Sequence, residues 1–94
     1  MIFVKNENNE YIYEFGRIKI VIKKINNKWR AEGTRADFLG KRIDLFYHPI
    51  VRNSRKEIIA FVNQHEYIKA LINSEKLRLN NAEQHNENIT KRDI

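Results

Sequence analysis

Between Arg17 and Arg35 apolar and polar positions alternate in two successive runs. Ile18, Ile20 and Ile22 alternate with Lys19, Val21 and Lys23, and after Asn26-Asn27 the residues Trp29, Ala31 and Gly33 alternate with Lys28, Arg30 and Glu32. A period of two is the mark of a strand with one buried face. Asparagine tolerates positive φ, so the Asn pair suits a type I′ turn. A two-residue turn sets the register, placing Ile25 opposite Lys28, Lys24 opposite Trp29, Ile22 opposite Ala31 and Ile20 opposite Gly33. The apolar sides of the two strands then coincide. The other side carries Lys19, Lys23, Lys28 and Arg30, with Val21, Glu32 and Thr34 among them.

The same reasoning extends in both directions. Residues 2–5 form a short candidate strand, and Asn6 to Asn9 a loop. Tyr11, Tyr13 and Phe15 alternate with Glu10, Ile12 and Glu14, and Gly16-Arg17 fits a type II′ turn. That turn pairs Phe15 with Ile18, Tyr13 with Ile20 and Tyr11 with Ile22; on the other side Glu14 is expected opposite Lys19 and Glu10 opposite Lys23. Residues 34–40 read as a loop or the far end of a longer hairpin. Lys41 to Tyr47 read as a strand with Ile43, Leu45 and Tyr47 inward and Arg42, Asp44 and Phe46 outward, ended by His48-Pro49 because proline offers no ladder donor.

Ser54 and Glu57 make a capping box, and Ile58, Phe61, Val62, His65, Ile68 and Ile72 follow at helical spacing. Asn63 and Glu66 have the same capping spacing, which leaves open whether the helix breaks near Asn63. Leu71, Leu77 and Leu79 carry the helix to about residue 79, and the polar, aperiodic stretch 80–94 is expected to be a disordered tail. Strands followed by helix imply an α+β fold. The expectation is one domain over 1–79: a four- to five-stranded antiparallel meander with a C-terminal helix packed on one face. That face carries Tyr11, Tyr13, Ile18, Ile20, Ile22, Trp29, Ile43 and Leu45.

Charge sharpens the picture. The net charge is +6 over 94 residues, but it is concentrated: residues 17–56 hold twelve Lys or Arg against Glu32, Asp37 and Asp44, while the flanking segments are mildly acidic. A basic block within the folded part favours a polyanionic partner, although a solvated lysine-rich face has the same composition. The chain has no cysteine, which excludes disulfides and thiolate zinc and fits a reducing compartment. The apolar start at Ile2 to Val4 is too short for a signal peptide, and nothing reaches the ~18 apolar residues of a membrane span. A cytoplasmic protein without membrane attachment or cofactor is expected. The edge strand at 2–5 leaves two oligomeric states open, a monomer or an edge-paired dimer.

Three classes of function follow from these residues. In the first, Lys19, Lys23, Lys28, Arg30 and Arg42 project from adjacent strands, with Arg35 and Lys41 flanking the loop and Phe46 as an aromatic contact. A β-surface of this kind enters the major groove of duplex DNA, where Arg reads guanine and Lys neutralises phosphate. In the second, His48 with Arg42, Arg52 and Arg55 suggests ribonuclease-type acid–base chemistry. That reading lacks a partner histidine of defined spacing and a nucleophile motif, while His65 falls on the apolar helix stripe as a satisfied core residue and His85 in the tail. No catalytic residue is assigned. Asp37 and Asp44 do not complete a nuclease metal set, so no metal site is assigned either. In the third, an aromatic with Arg neighbours forms the centre of a protein interface, as in a phage- or plasmid-type accessory or inhibitor protein bound to the acidic surface of a larger protein.

The three strands RIKIVIKKI, KWRAEGTR and KRIDLFY with the helix SRKEIIAFVNQH resemble the N-terminal arm-binding domain of tyrosine integrases, itself similar to the plant AP2 fold. The resemblance spans residues 17–66 and rests on Lys28-Trp29-Arg30-Ala31, on Gly40-Lys41-Arg42 and on a helix beginning with Lys and Glu. It implies a sheet in the major groove with Arg30 and Arg42 touching DNA. The sequence departs from that family in its longer HPIVRN segment and in the added N-terminal strands, and no catalytic domain is expected after the helix.

Overall fold

Two tight turns set the sheet. Asn26 and Asn27 take φ of 52° and 64°, which is the type I′ requirement of positive φ at both central positions. Gly16 has φ 56° and Arg17 is not among the positive-φ residues, as type II′ demands. The structure, a computed structural model, describes the backbone of residues 1–92 and side chains through Asn81.

Its elements are β1 (Val4–Lys5), β2 (Tyr11–Phe15), β3 (Ile18–Ile25), β4 (Lys28–Ala36), β5 (Arg42–Asp44), β6 (Ile50–Arg52), α1 (Arg55–Gln64) and α2 (Glu66–Arg92). The fold is α+β. Strands β1 to β5 form an antiparallel meander in chain order, and β6 adds a second partner to β4. Both hairpin registers agree with those read from the turns: Phe15 pairs with Ile18 and Tyr13 with Ile20, then Ile25 with Lys28 and Ile22 with Ala31.

The helices lie on the face bearing Ile18, Ile20, Ile22 and Ala31. These bury against Leu45, Ile58, Val62, Ile68 and Ile72, while Tyr11, Tyr13, Trp29, Phe46 and Ile50 pack around the edge. Each fully buried Ile or Val contributes about 1.5–3 kcal/mol. Trp29 is thus a rim residue, in edge contact with Tyr11 at 6.1 Å between centroids.

The last strand departs from the expected run over 41–47. Strand β5 ends at Asp44, and β6 resumes at Ile50 opposite Ala31. Thr34 pairs with Asp44 and Ala31 with Ile50, so Glu32 and Gly33 of β4 face Leu45 to Pro49. This is a bulge with three extra residues. An odd insertion reverses the inside–outside alternation, so Ile50 turns to the core and Val51 to solvent. The bulge also corrects two side-chain assignments. Phe46, expected outward, packs on the helix side: a Cβ at Gly33 would lie 3.1 Å from its Cε2 and 3.1 Å from Leu45 Cδ1. Tyr47, expected inward, is 96% exposed. Ile43, also expected inward, is exposed at the sheet margin. Pro49 sits inside the bulge, where its missing N–H breaks no ladder bond.

Ser54 Oγ accepts the amide of Glu57 at 3.1 Å and caps α1. The open question of a break is resolved at His65, which adopts an extended conformation (φ −70°, ψ 117°). Its carbonyl then accepts Lys69 N at 3.0 Å and starts α2. His65 is not a satisfied core histidine. Nδ1 has no hydrogen-bond partner, and the ring lies edge-on to Phe46 at 5.8 Å and Phe61 at 5.6 Å.

The helix α2 runs to Arg92; the disordered tail expected from residue 80 falls mostly on residues 82–94, whose side chains lie outside the described chain, as residues 93–94 do altogether. No Gly or Pro interrupts residues 66–92, and propagating a nucleated helix is far easier than starting one. No helix among the described residues is long and apolar enough to cross a membrane.

Candidate nucleic-acid interface

With both helices on one side, the opposite face of the sheet carries no covering element among the described residues. Register assigns its side chains: Ile12 and Glu14 from β2, Lys19, Val21 and Lys23 from β3, Lys28, Arg30, Glu32 and Thr34 from β4, Arg42 and Asp44 from β5, and Val51 from β6. None of them is buried. Five cations and three carboxylates share this surface.

The cations are not all free. Lys19 Nζ lies 3.7 Å from Glu14 Oε1, the cross-strand pair expected from the turn. Glu32 holds two cations at once: Lys23 Nζ at 3.3 Å from Oε2 and Arg30 Nε at 3.0 Å from Oε1. The expected Glu10–Lys23 pair does not form. Glu10 lies just before β2, where Asn6 Oδ1 accepts its amide at 2.9 Å and Asn6 Nδ2 donates to its carboxylate at 3.0 Å. Lys28, beside the Asn turn, has no ion pair among the described residues, and Arg42 donates Nη1 to the carbonyl of Arg17 at 3.0 Å. Such exposed pairs are worth at most about 1 kcal/mol each, so a dense polyanion can compete for these cations.

Of the eight expected contact residues, Lys19, Lys23, Lys28, Arg30 and Arg42 share the open face, and Lys41 sits on the loop at its end. Two do not join them. Arg35 pairs with Ile18 and Ile43 and therefore lies on the helix side. Phe46 is committed to Gly33 and His65. The bulge adds what periodicity does not reveal: a depression of about 320 Å³ beside Arg30 and Glu32, bounded by Thr34, Asp44, Tyr47 and Pro49.

The residues considered for phosphodiester cleavage are engaged separately. Arg52 lies over the Phe61 ring, 4.3 Å from its centroid. Arg55 lies over Tyr11 at 4.7 Å and donates to its hydroxyl. Arg42 is bound to Arg17, and His48 stacks edge-on with Tyr47 at 4.6 Å. Among the described residues no three His, Cys, Asp or Glu side chains gather as a metal-ion set.

The sequence reading places a loop, or the far end of a longer hairpin, over residues 34–40, but not the order within it. Asp37 organises it: Oδ1 accepts the amides of Leu39 and Lys41, both at 2.9 Å, while its own N–H donates to Lys41 O at 2.9 Å and its carbonyl accepts Gly40 N at 3.0 Å. Gly40 takes φ 84°. The Asp-x-x-Gly spacing is the signal that was available. Comparisons with protein families, curated proteins and solved structures found no match for the chain.

Proposed function

We propose that the protein binds duplex nucleic acid, DNA foremost, through the open face of its sheet. The observation that carries this reading is the placement of Lys19, Lys23, Lys28, Arg30 and Arg42 on one uncovered surface by three consecutive antiparallel strands. Lys28 and Arg42 sit at opposite ends of that surface and act first, on phosphates. Arg30 reaches bases once Glu32 yields it. The sequence resemblance to the integrase arm-binding domain, over residues 17–66, supports the same choice.

The test is a titration of labelled duplex DNA, duplex RNA and single strands near 50 mM salt. With about four phosphate contacts, log affinity falls against log salt with a slope near −3.6. Reversal of Lys28 and Arg42 to Glu abolishes binding and leaves thermal stability almost unchanged. Absence of binding to every nucleic acid at low salt overturns the reading.

One observation favours a second reading, contact with an acidic protein surface. Tyr47 stands almost fully exposed beside Arg30 and the bulge depression, and a rigid aromatic next to arginine is a common interface anchor. Co-purification followed by mass spectrometry distinguishes the two.

A further inference from the structure

The most exposed apolar side chains outside the termini and the bulge are consecutive. Phe38 is 81% and Leu39 79% exposed, at the tip of the β4–β5 loop. No part of the described chain covers them. The loop beneath them is ordered by four hydrogen bonds of Asp37, two of them with the backbone of Lys41, so the backbone that presents the pair is fixed before a partner arrives. Cations stand on both sides: Arg35 precedes the tip, and Lys41 and Arg42 follow it, Arg42 on the open sheet face itself. Behind Phe38 a groove of about 350 Å³ runs between the end of the sheet and α2, presenting Arg17, Arg35, Ser74 and Arg78. Its one buried carboxylate, Glu75, is already held by Arg78 and by the amide of Arg17.

We propose that Phe38 and Leu39 form a wedge that enters the minor groove of duplex DNA and unstacks a base step. The inference rests on the sheet-face reading and names how that site treats its ligand. An apolar wedge flanked by cations matches a partner whose interior is apolar stacked bases and whose surface is phosphate. Wedges of Phe and Leu kink DNA by about 20–90° towards the major groove. On a duplex held by the sheet face, that bend closes the DNA around the sheet. The loop extends past the sheet end, where a phosphate of the opened step meets Arg35 and Arg17.

The experiment measures binding and distortion separately. A duplex of 30 base pairs, donor and acceptor dyes at its ends and 2-aminopurine within, is titrated with the full chain and with Phe38→Ser/Leu39→Ser. Both positions are solvent-exposed, so the variant keeps its fold, checked by its melting curve. Expected for the wild type are closer duplex ends and brighter 2-aminopurine. For the variant the expectation is binding weaker by about tenfold, with neither distortion signal. Binding of equal strength by both proteins, without bending, overturns the wedge and leaves the sheet-face reading intact. No binding of duplex by either protein overturns both. Loss by the variant of wild-type binding to phosphatidylserine vesicles, with DNA unbent, overturns the wedge and assigns the tip to a membrane surface.

Discussion

The carboxylate of Glu75 sits directly against Gly16. Its Oε1 accepts the amide of Arg17 at 3.3 Å, and a Cβ built on Gly16 would lie 2.8 Å from both Cγ and Cδ of Glu75. The second turn of the chain and the middle of its last helix are thereby joined across 58 residues of sequence. This contact holds α2 on the sheet at the end where the β4–β5 loop also emerges, since Ala36 N donates to Arg17 O at 2.9 Å.

Gly16→Ala therefore meets two obstacles, a left-handed backbone at φ 56° and an occupied space. The left-handed conformation alone costs about 1–2 kcal/mol, and displacing Glu75 adds to it. Urea denaturation should show a loss of about 2–3 kcal/mol. A loss no larger than the ~1–2 kcal/mol of the backbone alone would mean that Glu75 yields freely and does not anchor the helix.

Acid should weaken the same anchor. The hydrogen bond from Arg78 holds the Glu75 carboxyl below the ordinary glutamate range; burial opposes this, and the Arg17 amide adds to the lowering. A group with a depressed folded-state pKa contributes stability that is fully present above its unfolded value, about 4.3, and is lost as pH falls through the folded value. Glu75→Gln should thus be less stable than wild type near pH 6, and the difference should shrink as pH falls below about 4. A difference independent of pH would assign the loss to packing.

Glu32 restrains Lys23 and Arg30, so its removal separates the charge network from the fold. Glu32→Gln should bind duplex DNA several-fold more tightly, with a salt slope steeper by up to about two contacts, near −1.8. Stability should change by about 1 kcal/mol or less, as for other exposed pairs. Weaker binding by this variant would show that the carboxylate orients Arg30 for the ligand.

Phe46 provides the converse control. Lying between Gly33 and His65, it should behave as a packing residue. Phe46→Ala should cost about 2–3 kcal/mol, less than the ~3–5 of a fully buried Phe, and should leave duplex affinity at temperatures well below melting unchanged. A selective loss of affinity in a stable variant would return Phe46 to the contact surface.

What the sequence by itself determined lies where the causes are local. Asn26-Asn27 and Gly16-Arg17 set two registers, because a two-residue turn and a period of two leave a strand no freedom once one face is apolar. The side of the sheet carrying Lys19, Lys23, Lys28 and Arg30 followed from that, and the Ser54 cap was legible separately, in its spacing to Glu57. Tertiary structure decided the rest. Strand β4 is long enough for two partners on one edge, so 45–49 bulges and β6 forms. The resulting change of alternation, invisible to any fixed period, takes Phe46 inward and Tyr47 outward. Arg35 obeys the alternation but ends beside α2, because the core face of the sheet outruns α1. Lys23 pairs with Glu32 rather than with the facing Glu10, which is consumed by the Asn6 loop. Glu75 is buried although it sits among polar residues, because its partners, the Arg17 amide and the space over Gly16, exist only once helix and hairpin have met.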